Sequence, residues 1–138
     1  MQSKSVQIFV DTSFFKGLID GRDDFHKEAV KIFAGMAKED IVLITSNYIL
    51  DETFTLIRKR RGRDKVKELR DFLAKAIPPI KIVRVIAGDE ANAWGWFLKD
   101  WSDLSFTDCV SFAVVKRLGL DRVATFDQHF HKAGVSKC

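Results

Sequence analysis

Val6-Gln7-Ile8-Phe9-Val10-Asp11 is a short, nearly continuous apolar run closed by a carboxylate. Its β-branched and aromatic residues read as a buried strand, and Thr12-Ser13-Phe14-Phe15-Lys16-Gly17-Leu18-Ile19 follows at once as a short helix ending near Gly21. Moving outward, the alternation repeats. A helix from Phe25 to Glu39 sets Phe25, Ala29, Ile32, Phe33 and Met36 at three- and four-residue spacings, the stripe of a packed face. Ile41 to Thr45 forms the second strand, and Ser46 or Asn47 caps a helix with Ile49, Leu50, Phe54 and Ile57 turned inward. That helix gives way to basic residues near Arg61-Gly62, and Arg63 to Ala76 continues as another helix until Pro78-Pro79.

Ile80 to Val85 is the third strand, Gly88 to Lys99 an aromatic-rich helix, and Phe106 to Leu118 a helix apolar almost all round, hence buried between other elements. Gly119 stops it, Arg122 to Thr125 is the fourth strand, and a helical turn follows Asp127. Strands separated by helices throughout imply βαβ units, and so an α/β fold with a largely parallel sheet and helices on both faces.

A length of 138 residues suits a single domain, 1–138, and a composition of 46% hydrophobic and 30% charged residues is that of a globular chain. No apolar stretch approaches the roughly 18 residues that span a bilayer. The N-terminus Met1-Gln2-Ser3-Lys4-Ser5 lacks the apolar segment of a signal peptide, so a cytoplasmic location is expected. Cys109 inside an apolar helix and Cys138 at the end make a poor disulfide pair, and neither has zinc-ligand spacing.

Four carboxylates stand at the junctions of these elements. Asp11 and Asp127 end strands, Glu52 lies early in a helix, and Asp108 opens the buried helix. Singly, each has a plain reading: Asp11 and Asp127 suit N-caps, Ser105-Phe106-Thr107-Asp108 matches a capping box, and Glu52 suits a solvated helix edge. Jointly they say more. Ligands of open α/β folds bind beyond the carboxyl ends of the strands, where such acids converge. Crowded carboxylates repel and destabilise a fold unless a cation compensates, and hard oxygen donors select Mg²⁺-like ions. Asp51 and Glu52 flank opposite edges of their helix's apolar face, so periodicity does not separate them.

The segments Phe9-Val10-Asp11-Thr12-Ser13, Thr45-Ser46-Asn47-Tyr48-Ile49-Leu50-Asp51-Glu52, Leu104-Ser105-Phe106-Thr107-Asp108-Cys109 and Ala124-Thr125-Phe126-Asp127-Gln128-His129-Phe130 resemble, in order, the successive motifs of PIN-domain ribonucleases. More narrowly they resemble the VapC-type toxins of toxin-antitoxin pairs. The resemblance implies a doubly wound α/β fold and an endoribonuclease dependent on Mg²⁺ or Mn²⁺, with Asp11, Glu52, Asp108 and Asp127 as catalytic and metal-holding residues. It also implies an antitoxin partner and a homodimer, and its motif position favours Glu52 over Asp51. Ser13 and Thr107, beside acidic positions, are candidates to orient a carboxylate or a water.

Between Arg58 and Arg70 lies the strongest local charge bias, and Arg58, Lys59 and Arg61 are candidate contacts to an RNA backbone as well as a solvated helix end. Asp103, a few residues before Asp108, is an auxiliary acidic candidate, expected in a solvated turn. Trp94, Trp96, Phe97 and Trp101 suit core packing or a protein interface more than base stacking. His129 and His131 read as exposed residues around a buried Phe130. Two other functions remain open from the residues alone. A haloacid-dehalogenase-like or receiver-like phosphoryl-transfer domain also places Asp after a first strand, although Ser13 stands where the former needs a second Asp. The other is a catalytically silent PIN-like module that binds RNA or protein.

Overall fold

The computed structural model describes residues 5–138, so the reading made on Met1-Gln2-Ser3-Lys4 lies outside the described residues. In chain order the elements are β1 (Val6–Val10), α1 (Thr12–Ile19), α2 (His26–Met36), β2 (Ile41–Ser46), α3 (Asn47–Arg61), α4 (Arg63–Lys75), β3 (Ile80–Val83), α5 (Ala87–Phe97), α6 (Phe106–Leu118), β4 (Arg122–Ala124) and α7 (His129–Lys132). The four strands form one sheet in the order β3-β2-β1-β4, with every pair parallel. The expected α/β architecture is therefore present.

Strand order decides where a site can form. From β1 the chain steps outward to β2 and β3, then returns past β1 to add β4 on the other side, so the winding reverses between β1 and β4. Right-handed crossovers put α1 to α4 on one face of the sheet and α5 and α6 on the other. At the reversal the two crossovers diverge and leave a crevice beyond the carboxyl ends of β1 and β4.

Local chemistry fixes the element ends. Ser46 caps α3 by accepting from Ile49 N at 3.2 Å, and Gly119 ends α6 in the left-handed region at φ 61°. Gly62, at φ 83°, turns the chain from α3 into α4, a conformation costly for any residue with a Cβ. β3 is two residues shorter than its apolar run suggests. Its last residue pairs with Ser46, where β2 becomes α3, and Val85 N turns instead to Asn47 Oδ1 at 2.8 Å.

The run Cys109 to Val115 is buried without a break, as an all-round apolar helix requires. Phe112 stands edge-on to Trp96 of α5 and to Phe130 of α7, with ring centroids at 5.6 and 4.9 Å. Asp89 of α5, 1% exposed, accepts both Nε and Nη2 of Arg117 of α6 at 2.8 and 2.9 Å, a bidentate tie between the two helices. Phe25 departs from its expected place on a packed face. It is 45% exposed, precedes α2, and stacks on Phe126 at 4.5 Å. Cys109 is buried, Cys138 exposed, and both are free thiols. No helix among the described residues is long and apolar enough to cross a membrane.

Replacing Phe112 with Ala removes a fully buried ring that joins three helices, at a cost of about 3–5 kcal/mol. In denaturant unfolding, the midpoint of Phe112→Ala should fall by the corresponding amount while its helical circular dichroism persists in buffer.

Candidate active site

Asp11 follows β1 directly and its backbone N donates to Ala124 O of β4 at 3.2 Å, which fixes it at the point where the winding reverses. It is 3% exposed and caps α1, accepting from Phe14 N at 3.2 Å. Two hydroxyls complete its shell. Ser13 Oγ donates to Oδ1 at 2.7 Å and Thr125 Oγ1 to Oδ2 at 2.6 Å. Each hydroxyl in turn accepts a backbone N–H, Ser13 from Phe126 at 2.9 Å and Thr125 from Asp127 at 2.9 Å. A hydroxyl has one proton, and both protons here are spent on Asp11.

Burial above all, with a smaller push from nearby Asp108, lifts the Asp11 carboxyl to about 7 against the pull of Thr125, Ser13 and Phe14 N. Three donors aimed at an ionised carboxylate, in a place that resists ionisation, describe a group built to work beside a positive charge. Asp108 is similar. Burial foremost lifts it to about 6, with Ser105 N–H pulling down and the charges of Asp127 and Glu52 pushing up. The capping box is real: Asp108 N donates to Ser105 Oγ and Ser105 N to Asp108 Oδ2, both at 3.0 Å. It occupies one carboxylate oxygen only, so the cap and a second task are compatible.

Asp127 lies just past β4, and its Oδ1 accepts His129 N at 2.9 Å. Asp108, Asp127 and His129 each offer an atom within 4.8 Å of the others, a spacing that fits shared coordination. Electrostatics link the whole set, because Asp108 acts on Asp11 while Asp127 and Glu52 act on Asp108. Asp108 is thus the acid that couples to each of the other three, while Asp11 and Glu52 lie outside the tight group it forms with Asp127 and His129. The oxygen-rich donor set suits a hard divalent cation.

Other candidates separate. Asp51 is exposed, as is Asp103, which takes a left-handed turn conformation at φ 58°. Asp51 borders two clefts, one of about 300 Å³ lined also by Asn47, Tyr48 and Thr107, the other of about 360 Å³ reaching past Glu52 to Lys59. Thr107 lines both. Arg58 and Lys59 are exposed, whereas Arg61 forms an ion pair with buried Asp20 at the end of α1 and so braces α3 against it. A roomier cleft, about 560 Å³, lies elsewhere, between α5 and α6 among Asn92, Trp96, Lys116 and Arg117, and no carboxylate lines it.

His129 corrects the sequence reading. Phe130 is buried and His131 exposed as expected, but the His129 side chain is only 14% exposed. Its Nε2 lies 2.8 Å from Ser102 O, its ring stacks near Trp101, and its Nδ1 sits 2.7 Å from Asp127 Oδ1 without the alignment of a hydrogen bond. Thr125 carries no local signal of its own in the sequence. Its proximity to Asp11 depends on the Val10–Ala124 register of β1 and β4, which no local pattern encodes.

Residues 8–135 match the family model described as PIN domain. The 23S rRNA-specific endonuclease VapC20 of Mycobacterium tuberculosis is 34% identical over 128 residues, covering 92% of this chain and 94% of that protein. Its crystal structure, described as a Sarcin-Ricin loop cleaving toxin, superposes with a TM-score of 0.82 at 32% identity, covering 95% of this chain and 98% of that one. VapBC2 from Rickettsia felis, bound to a DNA fragment from its promoter, gives a TM-score of 0.68 at 11% identity, with 96% of each chain covered. FitAcB from Neisseria gonorrhoeae gives 0.66 at 20% identity, covering 94% of this chain and 95% of that one. The last two bear on the fold alone. With the family model spanning most of its length and a close relative in VapC20, the chain belongs to the PIN-domain family, in its VapC-type branch.

Proposed function

We propose that the chain, as a single 1–138 nuclease domain, is a toxin endoribonuclease that hydrolyses RNA phosphodiester bonds with the help of Mg²⁺ or Mn²⁺. The observation that carries this reading is Asp11: a buried carboxylate, lifted to about 7, yet given three donors that favour its charged form. Likeness to VapC20 supports the choice of RNA and makes 23S ribosomal RNA the first substrate to test. Family membership leaves the haloacid-dehalogenase and receiver alternatives without support, and Ser13, where the former needs a second Asp, is committed to Asp11.

Asp11, Asp108 and Asp127 would hold the cation, and Glu52 would complete the set or orient a water. When bound, such a cation supplies charge neutralisation on the phosphate and a lowered pKa for water. The chain's own contribution is preorganisation. Ser13 and Thr125 fix both oxygens of Asp11, and Thr125 also fixes the backbone of Asp127, so two of the acids share one support. His129, whose Nδ1 lies 2.7 Å from Asp127, would add a nitrogen donor beside Asp108 and Asp127, and no histidine base is needed. Cleavage should therefore leave 5′-phosphate and 3′-hydroxyl ends. A protein antitoxin and a second copy of this chain are proposed as partners. Trp94, Phe97 and Leu98 of the α5 region, exposed together, support a surface of that kind.

Asp11→Asn and Asp108→Asn should each lower cleavage by about 10²-fold or more, the scale of losing cation-based charge stabilisation. Thr125→Val, which keeps Asp11 but frees one oxygen, should cost roughly 10- to 100-fold. Sequencing RNA 5′ ends after brief expression, with Asp11→Asn as control, checks rate and end chemistry together; 2′,3′-cyclic phosphate ends would overturn the mechanism.

Metal-free stability provides an independent check. Asp11 and Asp108 hold their protons more tightly folded than unfolded, so their contribution is full below the ordinary carboxylate value and is lost as pH rises through about 6 and about 7. Without divalent ions, the melting temperature should therefore be lower at about pH 8 than at about pH 5, and Mg²⁺ should restore it only at the higher pH. Asp11→Asn should flatten this dependence.

A further inference from the structure

One side of α3 carries polar residues that the catalytic reading leaves unused. Tyr48, Asp51, Thr55 and Lys59 recur at three- and four-residue steps and form a stripe along the helix, while Ile49, Thr53 and Ile57 are buried on the other side. The two clefts open along this stripe and share Asp51 and Thr107 as a common wall. Glu52 lines the larger one. The groove thus runs past the acidic centre, with an ammonium at one end and an aromatic ring at the other.

Each end suits a different part of a nucleotide. Lys59 is a point cation of the kind that grips phosphate. Tyr48 is half-buried and its hydroxyl donates to Glu90 of α5, which anchors the ring at the mouth of the smaller cleft. Unpaired bases are commonly read by stacking on such rings and by hydrogen bonds to their edges. Asp51 is the residue that needs explaining. An exposed carboxylate on a groove for a polyanion repels the ligand unless it meets hydrogen-bond donors, because an ionised carboxylate only accepts. Among the bases, guanine presents two adjacent N–H donors on its Watson–Crick edge, at N1 and N2, which match the two oxygens of a carboxylate.

We propose that Asp51 reads a guanine beside the scissile phosphate of a single-stranded RNA segment lying along α3, with Tyr48 supporting the base and Lys59 gripping the backbone on the far side of the acidic centre. Asp51 is then a specificity residue and Glu52 a member of the acidic site, which separates two neighbours that helical periodicity leaves equivalent. The proposal rests on the endoribonuclease reading.

The test is cleavage of a fully randomised single-stranded RNA library by the purified full chain with Mg²⁺, reading the bases flanking each cut, alongside calorimetric titration of Mg²⁺ alone. Wild-type protein should prefer guanine next to the cut, and Asp51→Asn, which offers one acceptor and one donor, should reduce that preference about tenfold. Mg²⁺ affinity should not change in Asp51→Asn, and Lys59→Gln should weaken RNA binding for all sequences alike and lower its salt slope by about one. A wild-type enzyme indifferent to the flanking base, an unaltered preference in Asp51→Asn, or loss of Mg²⁺ binding in that variant would each overturn the inference while leaving the nuclease reading intact. Cutting of 23S ribosomal RNA but not of the library would likewise overturn the inference alone, whereas absence of cutting of both by wild-type protein would remove the nuclease reading, and this inference with it.

Discussion

Parallel pairing of β1 with β4, Val10 opposite Ala124, is the constraint on which the candidate site depends. It sets Thr125 against Asp11, brings Ser13 within reach of Phe126 N, and so ties the two strand ends together through hydroxyls rather than through backbone alone. A one-residue slip would reverse the facing of every side chain on β4 and withdraw the Thr125 hydroxyl from Asp11. The register is held from both ends. Asp11 N continues the ladder to Ala124 O, and Asp121 Oδ2 accepts Gln7 N at 2.9 Å near the other end of β4.

The same geometry is unfavourable for folding. Asp11 and Asp108 are taken from water and set close to further acids, and both respond by holding their protons. The surrounding core offsets that cost: Ile8, Phe9 and Val10 of β1 and Val110 to Val114 of α6 are almost wholly buried on either side of the acids. Rigid, apolar neighbours and a strained charge cluster are two aspects of one design, since a loose scaffold would relax the acids apart.

Much of this could be read from the sequence because local rules set the element ends. Ser46, the Ser105-Asp108 box and Gly119 mark helix boundaries by hydrogen bonds that span only a few residues. What local rules do not encode is which particular side chains meet across distant segments. Thr125 acts on Asp11 from 114 residues away, and Arg61 finds Asp20 across 41. His129 reads as exposed beside a buried Phe130, whereas Trp101 and Ser102 come from another loop to cover it. Asp51 and Glu52 were equivalent on the wheel. What distinguishes them is the start of α6, whose Asp108 feels Glu52 while Asp51 stays at the lip of the clefts.

The basic run at the end of α3 shows how one charge cluster can serve two ends. Cations in a helix's last turn are favourable to the helix itself, since they face its negative pole. Arg61 is further committed to Asp20, where it locks α3 to α1 behind the acids. Arg58, Lys59 and Arg60 remain exposed, and Lys59 reaches the cleft that holds Glu52. An acidic centre alone would repel a polyanion. Under the proposed function, the exposed part of the run supplies the opposite field within one helix length, while the paired part keeps that helix in place.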